Sequence, residues 1–123
     1  MLILGVLLVT KVFSQNTIDK SKAEASVKKH MIKANNYKPI SFGEFFEQPN
    51  SKEIQDKLKT KKSIKYSLVH TYSLGHDTTV NMYFHLDEKY IIVGKLSYKE
   101  MEGIMLEGSK HALDSIMNSF IPK

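Results

Sequence analysis

The chain predicts an α+β domain: an amino-terminal helix packed on an antiparallel meander sheet of three to four strands, with one or two helices at the carboxyl end. Three observations carry this. Across residues 63–96, apolar and polar residues alternate with the period of two that marks half-buried strands. Ahead of them, Ser21-Lys22-Ala23-Glu24 forms a capping box that opens a stretch of helical periodicity. Behind them, Ser97-Tyr98-Lys99-Glu100 opens a second one.

In chain order, the first feature is Met-Leu-Ile-Leu-Gly-Val-Leu-Leu-Val, an apolar run with the length of a signal-peptide core. Val12-Phe13-Ser14-Gln15 follows and offers small or tolerated residues for a cut after Ser14. Residues 1–14 are therefore expected to be a signal peptide and residues 15–123 a single domain. The run is shorter than the roughly 20 apolar residues that span a bilayer, so no stable membrane insertion is expected after cleavage. The expected location is periplasmic or secreted.

Composition removes several function classes. Cysteine is absent, which excludes disulfides, thiolate metal sites, a thiol nucleophile and a lipoprotein-type anchor. All 18 basic residues are lysine, and the formal charge is +5. Without arginine's planar fork, the usual bidentate tool for phosphate or guanine is missing, so no nucleic-acid partner is expected.

The first helix is expected over 21–34, with Ala23, Val27, His30, Met31 and Ala34 on one stripe. Lys28, Lys29 and Lys33 complement the dipole at its carboxyl end. Asn35-Asn36 supplies a left-handed stop, and Pro39 forbids continuation. Residues 39–46 then read as a short strand with Ile40, Phe42 and Phe46 inward. After a turn, Asn50 is placed to cap a short helix whose apolar stripe is Ile54 and Leu58. The lysine-rich run over 57–65 leads into the meander.

A first turn centred on His76 sets Leu74 opposite Thr78, Tyr72 opposite Val80 and His70 opposite Met82. A second turn, Asp87-Glu88-Lys89, sets Leu86 opposite Tyr90, Phe84 opposite Ile92, Met82 opposite Gly94 and Val80 opposite Leu96. In this register the even-numbered residues of all three strands share the buried face, and a one-residue slip would turn polar groups into the core. Met101, Ile104 and Met105, then Leu113, Ile116, Met117 and Phe120, continue at helical spacing. Gly103 and Gly108 each cost about 1 kcal/mol relative to alanine in a helix, so a break near Gly108, or two helices, is expected.

The order of a helix, then Tyr37-Lys38-Pro39-Ile40-Ser41-Phe42, then a lysine-rich helix, then Lys65-Tyr66-Ser67-Leu68-Val69-His70-Thr71-Tyr72 resembles small secreted proteins of unknown function from Bacteroidetes. The resemblance spans roughly residues 20–90 and implies export and a helix-plus-sheet domain. The layout is also similar to cystatin-like and NTF2-like arrangements, although the Gln-x-Val-x-Gly loop of cystatin inhibitors is absent.

Candidate chemistry is sparse. No histidine pair has the spacing of a zinc-protease helix, and His70 and His85 fall on opposite faces, so no metal and no cofactor are expected. Serines lack a nucleophile elbow, and no glycine-rich phosphate loop occurs. His30 is the one group placed for folding to bring it beside His70. Two sets of residues remain as candidates. Tyr66, His70 and Tyr72 share the helix-covered face and offer polar groups for a ligand. Val69, Tyr83, Ile91 and Val93 share the other face and form an interaction patch for a protein partner or self-association, unless the carboxyl-terminal helices cover it. The leading expectation is an exported, non-enzymatic binding or accessory domain of unknown ligand. The alternatives are a small ligand-binding or hydrolase-like enzyme using the concave face of the sheet, and a self-associating structural subunit.

Overall fold

The computed structural model describes residues 19–120, with backbone alone at 111, 112, 115 and 118–120. The expected signal peptide and the side chain of Phe120 lie outside the described residues. Seven elements follow one another: α1 (Lys20–Met31), β1 (Lys38–Glu47), α2 (Ser51–Leu58), β2 (Tyr66–Ser73), β3 (Thr79–Leu86), β4 (Ile92–Ser97) and α3 (Tyr98–Phe120). The strands form one antiparallel sheet in the order β1-β2-β3-β4, the four-stranded form of the expected meander.

Helix α1 starts earlier than its capping box suggests. Asp19, not Ser21, is the cap: its carboxylate accepts from the Lys22 N–H at 3.2 Å. Its own N–H donates to the Tyr90 hydroxyl at 3.0 Å, which ties the helix start to the far end of the sheet. Ala23, Val27 and Met31 form the buried stripe, while His30 at its edge is exposed. Asn36 takes the left-handed conformation expected of it, at φ 62°.

The β2–β3 hairpin has the expected register, with Tyr72 opposite Val80 and His70 opposite Met82. Its tip closes through Gly75, His76 and Asp77, all at positive φ. The β3–β4 register differs from expectation. Leu86 pairs with Ile92, Phe84 with Lys95 and Met82 with Ser97. The cause is a longer turn held by one side chain: Asp87 Oδ1 accepts from the N–H groups of Lys89 and Ile91 at 2.8 and 3.0 Å, with Tyr90 left-handed at φ 64°. A bulge opposite His85 and Leu86 then adds one more residue. In β4 the faces are therefore exchanged beyond Ile92. Lys95 lies over the Phe84 ring at 6.0 Å, and Leu96 is buried on the other side with Ile54, Ile64 and Met101.

Strand β1 also departs from simple alternation. It carries register shifts between Pro39 and Ser41 and between Phe42 and Phe45. Ile40, expected inward, is bulged out and mostly exposed. Phe42 and Phe45 both reach the α1 core, whereas Phe46 pairs with Ser67 on the opposite face. Helix α3 is continuous through Gly108, where a Cβ would meet Asn50 Oδ1 at 2.8 Å.

Helices thus cover both faces of the sheet. Under α1, the core is Ala23, Val27, Met31, Leu68, Tyr72, Phe84 and Leu86, with Tyr66 at its margin. Under α2 and the first turns of α3 it is Ile54, Ile64, Leu96 and Met101. Gly94 lets α2 approach, because a Cβ there would sit 2.7 Å from Leu58 Cδ1. Each large side chain buried in these cores contributes about 1.5–3 kcal/mol.

Candidate functional site

The three residues read from the sequence as a ligand set lie in the α1 core. Tyr72 and His70 are fully buried and Tyr66 nearly so. The β1–β2 register brings Phe42 opposite His70, and the two rings stack at 4.0 Å and 7°. His70 Nδ1 lies 2.8 Å from the Ser41 carbonyl, which can only accept, so Nδ1 carries the proton. Nε2 then accepts from the Tyr37 hydroxyl at 2.7 Å. Burial pushes His70 below the ordinary histidine value, the Ser41 carbonyl opposes this, and the Lys28 charge adds to the lowering. Burial likewise raises the Tyr66 and Tyr72 hydroxyls. His30 and His70 do not meet: each is a ring neighbour of Phe84, at 6.4 and 6.0 Å, and no bond joins them among the described residues.

On the opposite face lies a polar chain absent from the sequence reading. Gln48 Nε2 donates to Ser67 Oγ at 2.8 Å, and Ser67 Oγ lies 2.7 Å from His85 Nδ1. Ser67 Oγ, accepting from the amide, has both its proton and a second lone pair to offer Nδ1, so the Ser67–His85 bond can run in either direction with the His85 tautomer. The buried Nε2 has no hydrogen-bond partner among the described residues, and burial holds His85 down to about 4. Gln48 also accepts from the Asn50 N–H at 3.0 Å, so the chain connects β2 and β3 to the start of α2. A serine hydrogen-bonded to a histidine is the pair from which nucleophile activation starts, but here both residues are sealed from solvent and, among the described residues, no carboxylate bonds the ring. The signal was available in the sequence. The β2–β3 register that pairs His70 with Met82 also sets Ser67 opposite His85.

Of the four residues read as an interaction patch, Val69, Tyr83 and Val93 are half-buried on the face covered by α2 and α3. Tyr83 and Val93, like Leu58 and Ile104, pack against the core of Ile54, Ile64, Leu96 and Met101, and the Tyr83 ring meets Tyr98 at 5.2 Å. Ile91 does not share that face. It projects from the β3–β4 turn, 59% exposed, beside α1.

Two solvent-open concavities stand apart from these cores. A groove of about 690 Å³ between α2 and α3 carries both charge signs, from Glu53, Asp56, Lys57, Lys99, Glu100 and Glu107. Burial does not govern Glu100: its carboxylate accepts from the Ser97 N–H at 3.1 Å, which holds it below the ordinary value and completes the expected capping box with Ser97 Oγ. A second groove, of about 400 Å³, runs between α1 and the β3–β4 turn and is lined by Lys29, His30, Lys33 and Lys89 over Tyr90 and Ile91. Among the described residues no group of histidines and carboxylates is placed to hold a metal ion, and no helix is long and apolar enough to cross a membrane. Compared with known proteins, the chain matches no family model, no curated protein and no solved structure.

Proposed function

We propose that this protein is an exported, non-enzymatic binding or accessory domain. The observation that carries the reading is the use made of its histidines. Among the described residues, His70 and His85 are the two whose rings are hydrogen-bonded, and both are consumed inside the two cores, where they join strands to one another and to α2. A catalytic base must reach both a reacting proton and solvent-borne substrate, and neither ring does. The apolar run over residues 1–9 and the cut expected after Ser14 support export, as does the resemblance to small secreted proteins of Bacteroidetes.

The test has two arms. Amino-terminal sequencing of the exported protein should find Gln15 first, or a pyroglutamate formed from it; a protein that begins at Met1 contradicts export. A panel of ester, phosphoester, glycoside and peptide substrates should show no turnover that depends on His70, His85 or Ser67. Turnover abolished by His85→Gln or Ser67→Ala at unchanged thermal stability would overturn the binding-domain reading in favour of the hydrolase-like one.

Self-association is the second reading, and one observation favours it. Beyond the sheet, α3 exposes Leu106, Leu113 and Met117 at 65%, 58% and 55%, along a stripe narrow enough for one partner helix. A second copy of the chain, pairing through α3, is the occupant this reading names. Sedimentation should then show a dimer that Leu113→Lys dissociates; a monomer at all concentrations removes the reading.

A further inference from the structure

We propose that the groove between α1 and the β3–β4 turn binds one small amphiphilic anion, a phosphate or carboxylate headgroup with a short apolar portion, with Lys29, Lys33 and Lys89 around the headgroup and Ile91 beneath the apolar part. The inference rests on the binding-domain reading and gives that domain a site and a ligand class.

Charge is the first ground. Three lysines from two separate elements converge on one concavity, and no carboxylate lines it. Among the described residues none of the three is engaged in an ion pair. Lys29 on the last turn of α1 and Lys33 in the turn just after it line the same groove, where like charges repel, and an anion between them relieves that repulsion. The turn carries two carboxylates, Asp87 and Glu88, and neither lines the groove; Asp87 Oδ1 is occupied by the N–H groups of Lys89 and Ile91. The groove lies by the carboxyl end of α1, where the helix dipole is negative. Its positive field therefore comes from side chains, and from lysines in particular. A lysine acts as a point charge without the directional fork of arginine, which suits phosphate and carboxylate alike.

Shape is the second ground. At about 400 Å³ the groove is of the size that takes a small molecule. Its lining is preformed. Tyr90 stacks on Tyr66 at 5.1 Å and 7°, and its hydroxyl is held by the Asp19 N–H. The left-handed backbone at Tyr90 and the Asp87 hydrogen bonds fix the turn that presents Ile91 to solvent beside the cations. An exposed isoleucine flanked by lysines calls for a ligand with both an apolar and an anionic part. The larger groove between α2 and α3 mixes both signs and makes no such selection.

The test is a titration of the protein followed by backbone amide NMR, with four probes: decyl phosphate below its micelle concentration, inorganic phosphate, decyl maltoside, and phosphatidylcholine vesicles containing phosphatidylglycerol. Decyl phosphate should saturate one site, with shifts confined to residues 29–33 and 89–92. It should bind at least about tenfold tighter than inorganic phosphate or the maltoside. Lys29→Gln with Lys33→Gln should weaken it about tenfold and Lys89→Gln about threefold, at unchanged melting temperature, since all three side chains are exposed. Lys61→Gln with Lys62→Gln removes the same charge elsewhere and should leave binding intact. Equal weakening by that control, equal affinity for the maltoside or for inorganic phosphate, or binding to vesicles alone would each overturn the proposal. None of those outcomes produces turnover, so the binding-domain reading falls only by its own test.

Discussion

On the face of the sheet under α1, His70 has both ring nitrogens engaged, one by the Ser41 carbonyl and one by the Tyr37 hydroxyl, and its ring is stacked on Phe42. On the face under α2 and α3, His85 has one nitrogen on Ser67 and the other without a hydrogen-bond partner among the described residues. Both are fully buried. The difference teaches how one sheet uses the same residue in two ways. In the larger, aromatic core, a satisfied histidine fastens edge strand β1 to β2 through a main-chain acceptor. In the smaller core, a half-satisfied histidine links two central strands and costs the fold the desolvation of one ring nitrogen.

The comparison breaks first at Phe84, which touches His70 and His30 and is wholly buried. Phe84→Asp places a charge in the α1 core and is expected to remove more than about 4 kcal/mol, enough to unfold a domain of this size. Thr79→Asp, exposed on the other face, should change stability by less than about 0.5 kcal/mol. Chemical denaturation of both variants measures the contrast, and comparable damage would contradict the face assignment.

Acid sharpens it next. In the unfolded chain His85 takes a proton near the ordinary value of 6.5, and in the folded chain only near 4. Between those values the unfolded state binds the additional proton, so stability is complete above about pH 6.5 and falls as pH drops toward 4, by up to about 3 kcal/mol. His70, lowered in the same direction, adds loss of the same sign. Denaturation midpoints at pH 7 and pH 4.5 should therefore converge in His85→Phe relative to the native protein. An identical acid loss in both would show that His85 does not carry it.

Smaller effects separate the two histidines directly. His70→Phe leaves the Tyr37 hydroxyl and the Ser41 carbonyl without partners and should cost about 2–3 kcal/mol. His85→Phe takes one partner from the Ser67 hydroxyl while removing a ring nitrogen that has none among the described residues, and should cost about 1 kcal/mol. Reversal of that order in urea titrations would mean that the odd-face chain is the stronger fastening.

The same contrast explains what was legible in the sequence. The β2–β3 register was readable because alternation runs unbroken through both strands and a slip would bury polar groups. The β3–β4 register was not, because one carboxylate, Asp87, captures two N–H groups and lengthens the turn, and a bulge then reverses the faces of Lys95 and Leu96. Bulges in β1 likewise put Phe42 and Phe45 on one face although they are three residues apart. Such devices depend on local hydrogen bonds that no periodicity encodes. Of the candidate site, the face shared by Tyr66, His70 and Tyr72 was legible, but their complete burial was not, since it required α1 and Phe42 to close over them. The basic groove went unread because Lys29 and Lys89 meet only through the packing of α1 beside the β3–β4 turn.

The central claim, that the buried histidines hold the fold together and perform no chemistry, is tested most directly by the ring nitrogen resonances of His70 and His85 through a pH titration. The account predicts that His70 carries its proton on Nδ1, that neither ring exchanges its tautomer, and that His85 stays neutral until about pH 4. A His85 that titrates near 6.5, or a His70 with its proton on Nε2, would contradict it.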